Sequence, residues 1–314
     1  MTQVFRFRAG EADAGQRLDV FLAAQPEPGL SRARIQALIR SGRCRVGGRP
    51  ARAGQRLSPG DEVVLEVPPP EAAGLVPEDI PLDVVYRDED VLVVNKPRGL
   101  VVHPAAGHAR GTLANTVAGM AAWEDGEDVP GDPARPGIVH RLDKDTTGLL
   151  VVALNPQAHQ RLAEQVQRRA LRREYLAIVH GSPPVESGRI EAPVGRHPTD
   201  RKRMAVTPGR GREAITHFRV LERYRGFSLV QCRLETGRTH QIRVHLAYIG
   251  HPVAGDPVYG PRRQALGLTA QALHAFRLGF VHPRTGEWLQ FEVPPPEDMA
   301  RAIEALRRGE AGEA

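Results

Sequence analysis

Ala214-Ile-Thr-His-Phe-Arg-Val220 and Phe227-Ser-Leu-Val-Gln-Cys-Arg-Leu234 are two strand-like runs with no room for a helix between them. Both are rich in β-branched and aromatic residues, as strands of a packed sheet are. Similar runs recur at Asp83-Val-Val-Tyr86, Val91-Leu-Val-Val94, Leu149-Leu-Val-Val-Ala153 and Tyr175-Leu-Ala-Ile-Val179. Helical spacing of apolar residues falls at 112–121, 156–168, 239–248 and 297–308. Strands outnumber helices and mostly follow one another. That order favours an α+β fold, with a mixed, mainly antiparallel sheet flanked by helices, over a doubly wound parallel one.

Upstream of these runs the chain has a seam. Residues 67–81 read Val-Pro-Pro-Pro-Glu-Ala-Ala-Gly-Leu-Val-Pro-Glu-Asp-Ile-Pro. Proline has no amide donor and favours extended backbone, so the stretch reads as a linker. It divides a small head, 15–67, from a body, 82–308, with 68–81 between them. In the head, Leu18, Phe21 and Leu22 give a short helix pattern. Ser31 is a good N-cap for a second helix, Arg32 to Arg40, with Ile35, Leu38 and Ile39 on one face and Gly42 at its end. Cys44-Arg-Val46, a Gly47-Gly48 turn, a Gly60-Asp61 turn and Val63-Val-Leu-Glu-Val67 then read as short strands. Residues 124–136 are acidic and turn-rich and read as a surface loop.

The chain has 314 residues and a net charge of +6, with 43 basic residues of which only Lys96, Lys144 and Lys202 are lysine. Between Arg17 and Arg56 stand nine arginines against Asp19 and Glu27, a local balance of 9 − 2 = +7, so the remainder of the chain is nearly balanced. A concentrated basic face points to a polyanion. Arg17, Arg32, Arg34, Arg40, Arg43, Arg45 and Arg49 are its candidate RNA contacts. Two cysteines exclude a disulfide-rich secreted scaffold and fit a reducing compartment. No apolar run is long enough for a transmembrane helix, and the N-terminal residues lack the apolar core of a secretory signal. A cytoplasmic protein, monomeric and free of membrane, is the expectation.

Several chemistries have no residues to carry them. Gly209-Arg-Gly-Arg-Glu-Ala214 leads into a strand and opens no helix, so it reads as a turn and not as a dinucleotide fingerprint. None of the three lysines sits in a phosphate-binding loop, and there is neither a zinc-ligand pattern nor a nucleophile elbow. No metal and no cofactor is expected.

What remains is Gly137-Ile-Val-His-Arg-Leu-Asp-Lys-Asp-Thr-Thr-Gly-Leu-Leu-Val-Val-Ala153, an apolar lead, a dense polar loop, and a glycine opening a buried strand. Asp143 stands there between Arg141, Lys144 and Asp145. A nearby cation favours an ionised, nucleophilic carboxylate. The same pattern suits an aspartate that merely closes an Asx turn. A second dense segment is Leu234-Glu-Thr-Gly-Arg-Thr-His-Gln-Ile-Arg-Val-His-Leu246. Thr239 can cap a helix there, and Arg243 lies beside its apolar face, where a guanidinium needs a carboxylate partner.

Two resemblances add to this. Arg17-Leu-Asp19, Ser31-Arg32, Leu38-Ile39-x-x-Gly42, Val46-x-Gly48 and Pro59-Gly60-Asp61 resemble the alpha-L RNA-binding domain of a small-subunit ribosomal protein. His140-Arg-Leu-Asp143-x-x-Thr-x-Gly148, Arg173-Glu-Tyr175-Leu-Ala-x-Val-x-Gly181, Gly237-Arg-Thr-His-Gln-Ile-Arg243-Val-His245 and Gly255-Asp-Pro-x-Tyr-Gly260 resemble the pseudouridine synthases of the RluA group. The spacings fit as well, 32 residues from Asp143 to Tyr175 and 68 from there to Arg243. With the head present, the likeness is greatest to the D-type members, which act on large-subunit ribosomal RNA. The family often has lysine where this chain has Arg173.

The resemblance implies an isomerase that moves the ribose bond of uridine from N1 to C5 of the base, with structured RNA as partner. It implies Asp143 as the nucleophile, at C6 or at C1′, Tyr175 as the aromatic against uracil, and Arg243 as the partner of the aspartate. Arg141, His140, Arg238, His240 and Gln241 would bind substrate, Arg141 filling the stack when the base is flipped out. A noncatalytic RNA-binding protein would leave the set of Asp143, Tyr175 and Arg243 without purpose. A glycosidase using Asp143 and Asp145 would leave Tyr175 and Arg243 unexplained.

Overall fold

The computed structural model describes residues 3–25, 27, 30, 32–52, 54–67, 75–104, 110–120, 136–200, 203–261 and 266–310, with residues 32–34 described by backbone alone. Ser31, residues 68–74 of the proline-rich linker and nearly all of the acidic 124–136 stretch lie outside the described residues. The chain forms two compact units, Met1–Gly74 and Leu75–Ala314.

The small unit contains strands β1 (Gln3–Arg8), β2 (Cys44–Val46), β3 (Arg49–Pro50) and β4 (Glu62–Val67) and helices α1 (Leu18–Ala23) and α2 (Arg32–Arg40). Its sheet is ordered β1-β4-β2-β3 and every pair is antiparallel. Leu18, Phe21 and Leu22 of α1 and Ile35, Leu38 and Ile39 of α2 bury against Cys44, Val46, Val63 and Leu65. Gly47 and Gly48 both take positive φ, which a two-residue type I′ hairpin turn requires. The unit also takes in residues before 15: Gln3–Arg8 pairs along the whole of β4 and turns Phe5 and Phe7 onto the core.

The large unit contains β5 (Asp83–Arg87), β6 (Val91–Lys96), α3 (Leu113–Met120), β7 (Thr147–Ala153), α4 (Pro156–Gln167), β8 (Arg172–His180), β9 (Ser187–Glu191), β10 (Val194–Arg196), β11 (Met204–Val206), β12 (Ile215–Tyr224), β13 (Phe227–Leu234), α5 (Gln241–Tyr248), β14 (Leu273–Val281), β15 (Trp288–Glu292) and α6 (Glu297–Arg307). The main sheet runs β5-β6-β7-β14-β8-β13-β12-β9, with β15 on β14. All its pairs are antiparallel except β7 with β14. The fold is the α+β arrangement of a mixed, mainly antiparallel sheet. Alternation along β6 sends Leu92 and Val94 to one core, with α3 and α5, and Val91 and Val93 to the other, with α4. A sheet covered on both faces reads as unbroken apolar sequence, as β6 and β7 do.

The parallel pair positions the site. β14 touches β7 only at His274 with Thr147 and Ala275 with Gly148, and it then follows β8. The side of β7 left open takes the segment before the polar loop. Ile138 bridges Val152, and Ala153 donates its amide to the Gly137 carbonyl at 2.9 Å. Residues 139–146 therefore form a loop folded back on β7 at the point where two strands diverge.

Candidate active site

Asp143 projects from that loop. Leu142 beside it is buried in the core, which fixes the backbone on one side of the carboxylate. The backbone carbonyl of Asp143, not its side chain, closes a turn with the Thr146 amide at 3.1 Å. The carboxylate accepts from Arg243 Nη1 at 3.0 Å.

Arg243 sits on α5, 5 % exposed, and grips a second carboxylate. Its Nε and Nη2 donate to the two oxygens of Asp256 at 2.7 and 2.9 Å, a bidentate pair. Asp256 also accepts the amides of Val258 and Tyr259, so burial, which would raise its pKa, is outweighed and the carboxyl is held below its ordinary range. Burial alone would lower the Arg243 pKa, but Asp256 and Asp143 together raise it above the ordinary value. By formal charge the trio of two carboxylates and one guanidinium is one negative charge in excess.

Tyr175 lies on β8, its ring buried in the core cluster that also holds Leu142 and Ile242. Burial pushes its hydroxyl up to about 12, with Arg173 pulling the other way and Asp143 adding to the rise. At neutral pH the ring is therefore an uncharged phenol.

Asp143, Tyr175 and Arg243 line one cavity of about 480 Å³, and so do His140, Arg141, Arg238, His240 and Gln241. All the body residues expected at the site thus meet in one place, from three separate segments. Their environments differ. Arg141 is exposed and lies 3.5 Å from His103. Arg238 donates from Nε to the Glu213 carbonyl at 2.9 Å. His240, in left-handed backbone at φ 56°, meets the Tyr259 hydroxyl at 2.9 Å. The helix expected from Thr239 consequently starts at Gln241, with His240 and not Thr239 at its N-cap.

Gln241 and His140 line the cavity and are also engaged within the protein. The Gln241 amide is 3 % exposed and occupied within the protein. It accepts from Thr236 and the Arg238 amide and donates to the Ile215 carbonyl and Thr216. It ties α5 to β12. His140 accepts the Val151 amide on Nε2 at 3.1 Å, and burial pushes its pKa down to about 3, with Arg173 adding to the fall. It is a neutral pin between loop and strand.

Sequence reasoning left three contributors unassigned. Asp256 and Tyr259 belong to the Gly255-Asp-Pro-x-Tyr-Gly260 segment, which carried resemblance but no role. The Arg243 guanidinium lies 5.1 Å from the Tyr259 ring centre, a cation–π contact. Lys96 ends β6 with no exposure, and its ammonium donates to the carbonyls of Pro97, Leu100 and Lys144, each at 2.9 Å. It clasps the Asp143 loop from beneath.

In the small unit, Arg40, Arg45 and Arg49 are exposed and have no ion pair among the described residues. Arg17 instead pairs with the buried Asp19 at 3.0 Å, and Arg43 approaches Glu66 at 3.9 Å. The Arg32 and Arg34 side chains lie outside the described residues.

Asp88, Asp90 and His282 bring three potential metal ligands together. His282 already bonds Asp88 at 2.8 Å, and Arg284 occupies Asp90 at 2.6 Å, so the cluster is filled by the protein's own cations and donors. No helix among the described residues is long and apolar enough to cross a membrane.

Residues 90–248 match the family model described as RNA pseudouridylate synthase, and residues 16–63 match the S4 domain. An uncharacterized RNA pseudouridine synthase of Bacillus subtilis, YlyB, is 52 % identical over 96 % of this chain and 97 % of its own length. The ribosomal large subunit pseudouridine synthase D of Escherichia coli K12 is 44 % identical over 95 % of this chain and 92 % of its own. Among solved structures, human RNA pseudouridylate synthase domain containing 1 covers 77 % of this chain and 98 % of its own, with 26 % identity and a TM-score of 0.52. The loop at the strand divergence, the shared arginine and the extent of these matches agree: the chain belongs to the RNA pseudouridylate synthase family, is a pseudouridine synthase, and carries an N-terminal S4 domain.

Proposed function

We propose that the protein isomerises specific uridines of large-subunit ribosomal RNA to pseudouridine, with Asp143 as nucleophile and the target base flipped into the cavity. One observation carries this above the others: among the described residues, the Asp143 carboxylate takes its side-chain hydrogen bond from an arginine whose charge Asp256 already balances. Arg243 therefore orients the carboxylate without neutralising it, and the trio's surplus negative charge falls at the cavity lining, where Asp143 stands and Asp256 does not. An oriented, incompletely quenched carboxylate suits covalent attack.

The reaction is an isomerisation. The bond between ribose C1′ and N1 breaks, a bond between C1′ and C5 forms, C5 loses a proton and N1 gains one. Asp143 would hold the detached half covalently while the base turns. Tyr175, an uncharged ring in the cavity wall, would give the uracil a stacking face. A stacked uridine hides C5, C6 and its glycosidic bond, so it must leave the helix, and exposed Arg141 at the cavity edge is suited to fill the gap. The relatives named for the large ribosomal subunit support that RNA as substrate, and the S4 domain supports a structured RNA partner.

The test is Asp143→Asn. The amide keeps a carbonyl oxygen for Arg243 but cannot act as the nucleophile. Pseudouridine formation in a large-subunit RNA fragment should vanish while affinity for the fragment stays within a few-fold. Turnover within tenfold of the parent would remove Asp143 from the mechanism.

A further inference from the structure

Arg173 is a buried cation that the chemistry above does not use. It sits two residues before Tyr175 on β8, so both side chains face the same side of the sheet, and both line the cavity. It is only 6 % exposed. No carboxylate pairs with it among the described residues. Among the described residues its one side-chain hydrogen bond is a long one, from Nη2 to the Glu235 carbonyl at 3.5 Å, and its Nε has no partner. The nearest acidic side chain in sequence, Glu174, points to the other face and is held by Arg172 and Arg277.

A second orphan donor lies on the same cavity. His140 accepts the Val151 amide on Nε2, so its neutral ring carries the proton on Nδ1, and Nδ1 has no partner either. The Arg173 charge is near enough to act on that ring. Gly237 leaves room beside the guanidinium: a Cβ there would stand 2.8 Å from Arg173 Nη1.

We propose that Arg173, with the Nδ1–H of His140 beside it, is a subsite for a phosphate of the RNA backbone next to the flipped nucleotide. A buried guanidinium without a counter-charge costs folding free energy, and natural proteins seldom keep one unless a ligand supplies the anion. Uracil is neutral and would not balance it. A backbone phosphate is the anion that must enter with a flipped nucleotide. Other cavity arginines are already engaged, Arg243 with two carboxylates and Arg169 with Glu213 and Glu235. This inference rests on the RNA reading above.

The test compares the full-length parent, Arg173→Met and Arg173→Lys, using one large-subunit ribosomal RNA fragment that the parent modifies. If the parent makes no pseudouridine in any such fragment, the functional reading fails, whatever Arg173 does. Given an active parent, Arg173→Met should melt at or above the parent's temperature without RNA, because an unbalanced buried charge has gone. Its RNA affinity should fall roughly 10- to 100-fold, and the slope of log affinity against log salt should drop by about one. Arg173→Lys should keep the slope. An unchanged slope in Arg173→Met overturns the subsite, including the case where turnover alone falls and the charge acts on the base. A variant that fails to fold or melts well below the parent also overturns it, since the guanidinium is then structural.

Discussion

Arg243 holds two carboxylates, and only Asp143 lines the cavity. That asymmetry separates the anchor from the carboxylate at the cavity: Asp256 fixes the arginine, and the arginine fixes Asp143. His140 plays a comparable part from the loop side, and it makes the site sensitive to acid. Its folded pKa is pushed down to about 3 from an ordinary 6.5 by burial and then by Arg173. The unfolded chain therefore binds the proton first. This contribution to stability is intact above 6.5 and is lost as pH falls toward 3. Below 6.5 it should weaken the protein by about 1.4 kcal/mol per pH unit. His140→Gln can still accept the Val151 amide and has nothing to titrate. Urea unfolding between pH 4.5 and 6.5 should give a shallower pH dependence for the variant by about one proton, and parallel curves would show that His140 is not kept neutral. Much of the site was legible because Asp143, Tyr175 and Arg243 each sit in dense polar sequence beside apolar strands or helix faces. The sequence also showed that Arg243 needs a carboxylate. It could not show that there are two, because Asp256 comes from a turn after α5 and is told apart only by contact. Lys96 was illegible for a similar reason: its three acceptors are backbone carbonyls, two of them brought to it by folding.

Six strands of the main sheet, β5 to β8, β12 and β13, stand out in the sequence, and the strand at its centre does not. Leu273-His-Ala-Phe-Arg-Leu-Gly-Phe-Val281 has neither clean alternation nor a β-branched run. Its oddities are set by its neighbours. Gly279 faces the Trp288 ring, whose nearest atom would lie 2.5 Å from a Cβ there. His274 exchanges a hydrogen bond with Thr147 at 2.8 Å. Such a strand is specified by partners remote in sequence, which periodicity cannot register. Gly148 is the mark β14 leaves on the legible part. It has φ 109°, and a Cβ would come 2.3 Å from the Ala275 carbonyl oxygen. Gly148→Ala should therefore cost about 2–4 kcal/mol, combining backbone strain with a clash against main chain that cannot move aside. Gly286 is a suitable control, since it too has positive φ, at 75°, but open space around it. Gly286→Ala should cost about 1 kcal/mol from strain alone. Equal losses in thermal or urea unfolding would mean that the β7–β14 approach is looser than drawn. If Gly148→Ala folds, pseudouridine formation should fall further than in the control, because the strained peptide lies only five residues beyond Asp143.

The two units each have their own apolar core and their own sheet. Residues 75–82 enter the large unit without regular secondary structure. Removal of residues 1–74 should leave Leu75–Ala314 folded, since neither sheet borrows a strand from the other unit. The shortened protein keeps every residue lining the cavity, so it should still isomerise uridine when RNA is abundant. What it should lose is affinity and choice of site. In the small unit, Arg40, Arg45 and Arg49 are exposed with no carboxylate partner among the described residues, whereas Arg17 is tied to Asp19. A free arginine on a phosphate displaces a condensed cation, and each such contact adds close to one to the slope of log affinity against log salt. An arginine already held by a carboxylate contributes less. The slope for a ribosomal RNA fragment should therefore fall by about three on truncation. Replacing Arg40, Arg45 and Arg49 together by Gln in the full chain should reproduce most of that fall, because these changes remove charge and leave the small core intact. Binding measured from low to moderate salt, together with mapping of the modified uridines, checks both. Coincident slopes and an unchanged modification pattern would mean that the exposed arginines meet only solvent, and that recognition of the RNA lies wholly in the large unit.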